Sequence, residues 1–179
     1  MKTFEVRTAL KADIAELVRL EQEAFATDRI ALRNWHRLLR SSSATVLVAL
    51  SEGRIVGAAV VLKRRAAAVA RLYSLAVSAA FQRQGLGRIL LAAACRLAQQ
   101  QRCREVCLES RLSNSQAHRL FFSMGFRPWG QPTADYYADG MAACRFRLEL
   151  ATAVWLLTPI GAHGSEGDSS PQCTPAAVL

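Results

Sequence analysis

The stretch Gln82-Arg83-Gln84-Gly85-Leu86-Gly87-Arg88 is the strongest indication of architecture in this chain of 179 residues. It follows an apolar run, Leu72–Val77, that predicts a β-strand, and it opens a segment whose apolar residues recur at helical spacing. One row of that segment is formed by Leu86, Leu90, Ala94 and Ala98. A strand, a short turn and a glycine-bearing helix start favour phosphate binding, because N–H groups at a helix N-terminus are free and the helix dipole adds about half a positive charge there.

The residues of this turn suit an anionic ligand and exclude two related motifs. Gly85 and Gly87 have no Cβ atom, which lets a ligand approach the main chain, and Arg83 and Arg88 add full positive charges. The turn lacks the lysine and the following Ser or Thr of a Walker-type loop. It also lacks the third glycine of a dinucleotide fingerprint, and its strand comes late in the chain. From these residues alone, a tight connection without a ligand remains an alternative.

Segments around and beyond the turn resemble the GNAT superfamily of acyl-CoA-dependent N-acetyltransferases, in which a Q/R-x-x-G-x-G/A turn holds the CoA pyrophosphate. Leu75–Val77 resembles the family's strand that splays open beside the cofactor, and Leu108–Asn114 resembles the next strand and the asparagine that opens the following helix. Met124–Phe126 resembles the end of that helix and the G-F pair that begins the next strand. The paired tyrosines of Asp135–Met141 resemble the tyrosine pair that precedes the last strand in the branch of ribosomal-protein alanine N-acetyltransferases. The resemblance covers about residues 3–150.

The resemblance implies acetyl-CoA as cosubstrate and no metal. It places cofactor contacts on the splayed strand, the glycine turn, and the helix that follows the next strand: Leu75, Ala76, Val77, Gln82, Arg83, Gln84, Gly85, Leu86, Gly87, Arg88, Asn114 and Phe121. A backbone N–H near Ala76 or Val77 is expected to meet the thioester carbonyl. Asn114 is also expected to cap the helix that it opens.

The resemblance also implies the groups that move protons. Glu109, at the end of its strand, is the candidate base, acting through a water; the alternative is that it only pairs with Arg111 or another arginine. The family commonly has a proton-donating tyrosine where this chain has Phe121, and phenylalanine cannot donate. Tyr136 or Tyr137 is expected to replace it or to hydrogen-bond the acceptor's backbone, and the alternative is an aromatic pair packed at the sheet edge.

The order of predicted elements indicates an α/β fold. Strands come first and are followed by strand, helix, strand, helix and strand, which predicts a mixed, twisted central β-sheet flanked by helices, with a splayed strand next to the CoA-binding turn. We expect a single GNAT-type domain over residues 1–150 and a C-terminal extension over residues 151–179 that is flexible from about residue 161.

Composition restricts the partners and the compartment. The net charge is +9, from 23 Lys and Arg against 14 Asp and Glu, so anionic ligands are favoured and polycationic acceptors are repelled; a solvated basic surface without a partner is the alternative. No run of five like charges occurs, so nucleic-acid binding is not supported. Five cysteines without C-x-x-C spacing argue against a disulfide framework and against zinc, and fit the cytoplasm. The apolar stretch at residues 151–160 is too short to span a membrane.

These observations predict an enzyme that moves an acetyl group from acetyl-CoA to a primary amine by direct transfer in a ternary complex. The expected acceptor is the α-amine of a protein or peptide N-terminus. A small-molecule amine acceptor and a non-catalytic acyl-CoA-binding module are the alternatives, the second because of Phe121. Whether the protein is a monomer or a dimer is left open.

Overall fold

The computed structural model describes residues 4–64 and 66–157, which contain seven strands and four helices. The strands are β1 (Glu5–Thr8), β2 (Ala44–Ser51), β3 (Arg54–Leu62), β4 (Val69–Val77), β5 (Glu105–Arg111), β6 (Arg127–Pro128) and β7 (Ala143–Glu149). The helices are α1 (Ile14–Ala24), α2 (Leu32–Arg40), α3 (Leu86–Gln100) and α4 (Ser115–Ser123). No helix in these residues is long and apolar enough to cross a membrane.

All seven strands belong to one sheet in the order β1-β2-β3-β4-β5-β7-β6. Neighbouring strands are antiparallel except β4 and β5, which run parallel and are connected through α3. A parallel pair requires a crossover of this kind, because the chain must return to the starting edge of the sheet. The predicted fold class is confirmed: one α/β domain with a mixed sheet flanked by helices.

The helices pack on opposite faces of the sheet and divide the core into two parts. On one face, Leu17 of α1 and Trp35 of α2 are buried against the sheet. On the other face, α3 buries its predicted row, and Phe121 of α4 joins the same cluster. Complete burial of a leucine such as Leu90 contributes about 1.5–3 kcal/mol. The buried row of α3 therefore anchors the glycine turn to the sheet.

Strands β4 and β5 separate part of the way along their length. They are paired from Val69 and Glu105 as far as Leu72 and Leu108, whereas β4 remains paired with β3 to Val77. The second half of β4 thus has one edge without a neighbouring strand, which confirms the predicted splayed strand. Backbone groups on such an edge are available to a ligand.

A β-bulge at Tyr73 coincides with this separation. Leu72 lies opposite Val61 and Ser74 lies opposite Val60, so Tyr73 is an extra residue in β4. A bulge bends the strand and increases its twist. It also shifts the alternation of side chains, so that Leu72 and Leu75 both face α3.

Short 3-10 turns lie at the two ends of the described domain. Lys11–Asp13 forms one such turn directly before α1, and the Asp13 carboxylate accepts from the Leu10 N–H (2.7 Å). Two further 3-10 turns begin at Leu150 and Val154, and Ala153 and Leu156 are buried in the core. The domain boundary at residue 150 stays a prediction, and the extension predicted to be flexible from residue 161 lies outside the described residues.

Candidate active site

The start of α3 has the geometry of an anion site. Gly85 precedes the helix in the left-handed region (φ 80°), which favours glycine, and no atom lies within 4 Å of the position that a Cβ would take. The first intrahelical bond runs from the Ile89 N–H to the Gly85 carbonyl (3.1 Å). The N–H groups before Ile89 in this first turn therefore have no intrahelical acceptor and point out of the helix. The residues present fit the diphosphate of CoA.

The glutamine side chains of the same turn hydrogen-bond to neighbouring backbone carbonyls. The Gln82 and Gln84 amides donate to the carbonyls of Val77 (3.4 Å) and Ala80 (2.8 Å), which fixes the turn to the end of β4. Gly87 has a different role from Gly85, because a Cβ at this position would lie 3.2 Å from Leu120 of α4. The missing Cβ at Gly87 thus permits close packing of α3 on α4. Arg83 and Arg88 are exposed, and Arg88 donates to the Ser123 hydroxyl (3.0 Å).

A cleft of about 700 Å³ lies next to the fork between β4 and β5. Its walls include the segment after α1, residues 25–30, and the segment before β7, residues 136–139. The predicted site residues that line it are Leu75, Glu109, Asn114, Phe121, Tyr136 and Tyr137. Ala76 is instead buried in the core between the sheet and α1, and its backbone lies opposite Ala58 of β3. Val77 and the turn at residues 82–88 lie outside the lining of this cleft.

Glu109 is bound to an arginine that the sequence did not single out. The Arg71 guanidinium donates from Nε to the Glu109 carboxylate (2.8 Å) and from Nη2 to the Tyr136 hydroxyl oxygen (2.7 Å). Arg71 lies opposite Cys107 in the register of β4 and β5, which makes Glu109 its diagonal neighbour on the same face of the sheet. Only the register of the two strands reveals that Arg71 and Glu109 are neighbours, because 38 residues separate them in sequence.

Arg111 has other partners than Glu109. It forms ion pairs with Asp28 (2.8 Å), in the segment after α1, and with Asp139 (2.7 Å), in the segment before β7. Its guanidinium also lies 4.2 Å from the centroid of the Tyr137 ring. The Asp28 carboxylate additionally accepts from the Ala138 N–H (3.0 Å). Arg111 therefore ties together the two segments that form the walls of the cleft.

The paired tyrosines pack edge to face with ring centroids 5.0 Å apart, but their hydroxyl groups have different surroundings. Burial raises the pKa of Tyr137 to about 12. Burial also raises the pKa of Tyr136, while the positive charge and hydrogen bond of Arg71 act in the opposite direction. The ionised form of Tyr136 would thus have the Arg71 guanidinium within hydrogen-bond distance.

Phe121 and Asn114 connect α4 to the cleft. Phe121 is 5% exposed and packs on Phe126 and Phe146, with ring centroids 6.0 Å and 5.5 Å away. Asn114 caps α4 as expected, since its side-chain oxygen accepts from the Ala117 N–H (3.1 Å). Phe121 therefore places an aromatic ring without a hydroxyl group in the lining of the cleft.

Glu21 is a further carboxylate of the cleft that the sequence did not mark as functional. Its side chain is on the buried face of α1 and accepts from the Ile30 N–H (3.0 Å). Burial raises its pKa to about 6. Glu21 follows Ile14 and Leu17 at helical spacing, and this spacing was the available signal that its side chain is buried. Within residues 4–64 and 66–157, no group of three His, Cys, Asp or Glu side chains could hold a metal ion.

The mixed sheet forks between its parallel strands, next to a helix start whose first N–H groups have no intrahelical acceptor. The chain belongs to the GNAT family of acetyltransferases, because the Acetyltransferase (GNAT) family profile matches residues 11–126. It is therefore an acetyl-CoA-dependent N-acetyltransferase.

Three known proteins are similar over most of the chain. A ribosomal protein bS18-alanine N-acetyltransferase by name, from Bacillus subtilis (strain 168), is 28% identical over 143 residues, which are 78% of this chain and 91% of that protein. The crystal structure of the ribosomal-protein-S18-alanine N-acetyltransferase from Escherichia coli aligns with a TM-score of 0.74 and 24% identity, covering 83% of this chain and 94% of that one. The structure of yncA from Salmonella typhimurium with its cofactor acetyl-CoA aligns with a TM-score of 0.69 and 22% identity, covering 82% and 94%.

Proposed function

We propose that this enzyme acetylates the α-amino group of a protein or peptide N-terminus. The observation that carries this proposal is the tie that Arg111 makes between Asp28 and Asp139. Because both walls of the cleft are bonded to one side chain, a continuous polypeptide has no path across the cleft at that point. A free chain end can enter between the walls. The names of the Bacillus and Escherichia relatives, both alanine N-acetyltransferases of a ribosomal protein, support an acceptor of this class.

The chemistry of the acceptor favours an α-amine as well. An α-amino group titrates near 7.7–8.0 and a lysine side chain near 10.4, so the α-amine is a nucleophile at neutral pH with little help. The charge of +9 disfavours polycationic small molecules. An α-amine acceptor thus requires only a weak base in the cleft.

We assign the CoA phosphates to the helix start at Gly85 and its flanking Arg83 and Arg88. The free edge of β4 at Val77 supplies a backbone donor for the thioester oxygen, where it would stabilise the charge that develops during attack, whereas the N–H groups of the alternate residues Ala76 and Ser78 point to β3. The phosphate site and the fork are adjacent in the chain, since residues 78–84 connect them. The acetyl group would then reach the cleft beside Leu75.

Glu109 is our candidate base and Tyr136 our candidate proton donor. Both line the same cleft and both are held by Arg71. Glu109 would take the amine proton through a water, and Tyr136 would donate to the leaving thiolate. Tyr137 is assigned to the acceptor, because its ring lies on Arg111 at the wall of the cleft.

The positions of the cysteines and the pKa values of their thiols favour direct transfer in a ternary complex over a covalent route. None of the cysteines in residues 4–64 and 66–157 lines the cleft. Burial raises the pKa of each of these four thiols, which lowers the thiolate fraction that a covalent route would need.

The test is an acceptor panel with acetyl-CoA, read by mass spectrometry. The panel contains peptides with free N-termini, the same peptides with blocked N-termini and free lysines, polyamines and aminoglycosides. Acetylation confined to free N-termini is the expected result, and Glu109→Gln should reduce it strongly at neutral pH. Acetylation of lysines or small amines would refute the proposed acceptor, and full turnover by Glu109→Gln would refute the assigned base.

A further inference from the structure

Arg71 occupies the point at which β4 and β5 separate. Its backbone is in the paired part of the fork, one residue before Leu72, while its side chain reaches forward to Glu109 in the part that has opened. The same guanidinium reaches Tyr136 in the segment before β7. Three segments that are distant in sequence therefore meet at one side chain.

The contacts of Arg71 use two different edges of its guanidinium. Nε donates to the Glu109 carboxylate at 2.8 Å and Nη2 donates to the Tyr136 oxygen at 2.7 Å. A planar guanidinium can hold two acceptors at once in fixed directions, which a lysine ammonium does less well. Because the Tyr136 oxygen accepts from Arg71, the O–H proton of Tyr136 is left free for another acceptor.

We propose that Arg71 is the shared counter-ion of Glu109 and Tyr136, a positioning residue that couples them as one proton-transfer pair. This inference rests on the roles that the proposed function gives to Glu109 and Tyr136. Arg71 thereby allows Tyr136 to supply the proton that Phe121, which has no hydroxyl group, cannot supply.

The charges balance through the transfer. The amine nitrogen bonds to the thioester carbon, and the carbon–sulfur bond breaks with its electron pair on sulfur. Glu109 takes the proton that the nitrogen loses, and Tyr136 gives its proton to the thiolate. Negative charge thus leaves Glu109 as it appears on Tyr136, and Arg71 contacts both groups, so the guanidinium keeps an anionic partner throughout. The proton then returns from Glu109 to Tyr136 through water, which restores both groups and leaves amide and free thiol as products.

The first test is a double-mutant cycle with Arg71→Met and Tyr136→Phe. Each single variant should lower kcat by about 100-fold, the size typical of a lost general acid, with the KM for acetyl-CoA unchanged. The double variant should be no slower than the slower single variant, because groups that act as a unit give non-additive losses. Arg145→Met is the matched control, since Arg145 lies opposite Glu109 on β7 but its guanidinium is over Trp129. Losses that multiply, or a kcat in Arg71→Met equal to that of the control, would overturn the proposal.

The second test restores the hydroxyl group at its usual place in the family. Phe121→Tyr in the Tyr136→Phe background should recover a large part of the lost kcat, and no recovery would overturn the assignment of Tyr136 as donor. Thermal unfolding of every variant shows that the fold is retained. Thiol release is measured with whichever amine the wild-type enzyme acetylates, so an acceptor other than an N-terminus refutes the proposed function but leaves this comparison intact.

Discussion

Replacing Glu21 with glutamine should stabilise the fold at neutral pH. Glu21 is 3% exposed, and burial raises the pKa of its carboxyl group from 4.5 to about 6. A carboxyl group whose pKa is raised on folding contributes stability below its unfolded value, and that stability is lost as the pH rises through about 6. At about 1.4 kcal/mol per pKa unit, the loss between about pH 4 and pH 7.5 is about 2 kcal/mol. Glutamine keeps the oxygen that accepts from Ile30 and does not ionise, so it avoids this loss.

The assay is urea unfolding of the wild type and Glu21→Gln at both pH values. The free-energy difference between the two proteins should change by about 2 kcal/mol in favour of glutamine as the pH rises, and the comparison between pH values cancels packing differences. Glu23→Gln is the control on the same helix. Hydrogen bonds from the Ser78 hydroxyl and the Ala79 N–H lower the pKa of Glu23, so its stabilising effect is present above the unfolded pKa and is lost as the pH falls. Glu23→Gln should therefore show the opposite pH dependence. A Glu21→Gln difference that is equal at both pH values would refute the reasoning.

Three further predictions concern the cofactor turn, the cleft walls and the thiols. Gly85→Glu should abolish the stabilisation that CoA gives against thermal unfolding while leaving the fold intact. The control Gly85→Ala adds only backbone strain at a φ of 80° and should still be stabilised by CoA. Unchanged stabilisation in Gly85→Glu would contradict the phosphate assignment. Arg111→Ala should raise the KM for the acceptor but not for acetyl-CoA in steady-state kinetics, because it releases Asp28 from Asp139, and equal effects on both KM values would argue against the role of Arg111. Burial raises the pKa of Cys95 to about 12, so iodoacetamide at neutral pH should leave Cys95 unlabelled in the native protein and label it in urea, and peptide mapping checks this.

The parts of the fold that depend on local chemistry could be predicted from the sequence. The start of α3 follows from Gly85, the α4 cap follows from Asn114, and the buried row of α3 follows from its spacing. Each of these features is determined by residues within a few positions of one another. Six of the residues that resembled the family's pattern line one cleft, and their roles stay predictions.

The bulge at Tyr73 shows why a strand can be predicted without its faces. An alternating pattern assigns odd and even residues to opposite sides of the sheet, but the extra residue reverses this assignment halfway along β4. Leu72 and Leu75 therefore share a face although their numbers differ in parity. Nothing in the side chains of β4 marks the position of the bulge, because it is set by pairing with β3.

The partners of the two arginines in the cleft, Arg71 and Arg111, could not be predicted for a related reason. Arg71 and Glu109 become neighbours only through the register of two strands, and Arg111 meets Asp28 only because the segment after α1 lines the same cleft. In a chain with 23 Lys and Arg, any arginine is a plausible partner for Glu109. The choice between Arg71 and Arg111 is made by the fold, since each guanidinium binds the carboxylates within its reach.

The two faces of β4 and β5 explain how phenylalanine is tolerated at position 121. On the side of α3 and α4, Leu72, Leu108 and Phe121 are buried together, so the ring at position 121 is required for packing whether or not it carries a hydroxyl group. On the opposite side, Arg71 joins Glu109 to Tyr136. The ring at position 121 therefore packs in one layer, and the contacts of Arg71 in the other layer do not depend on a hydroxyl group at that position. Under the proposed roles, Tyr136 of the segment before β7 would supply the proton while Arg71 holds it beside Glu109.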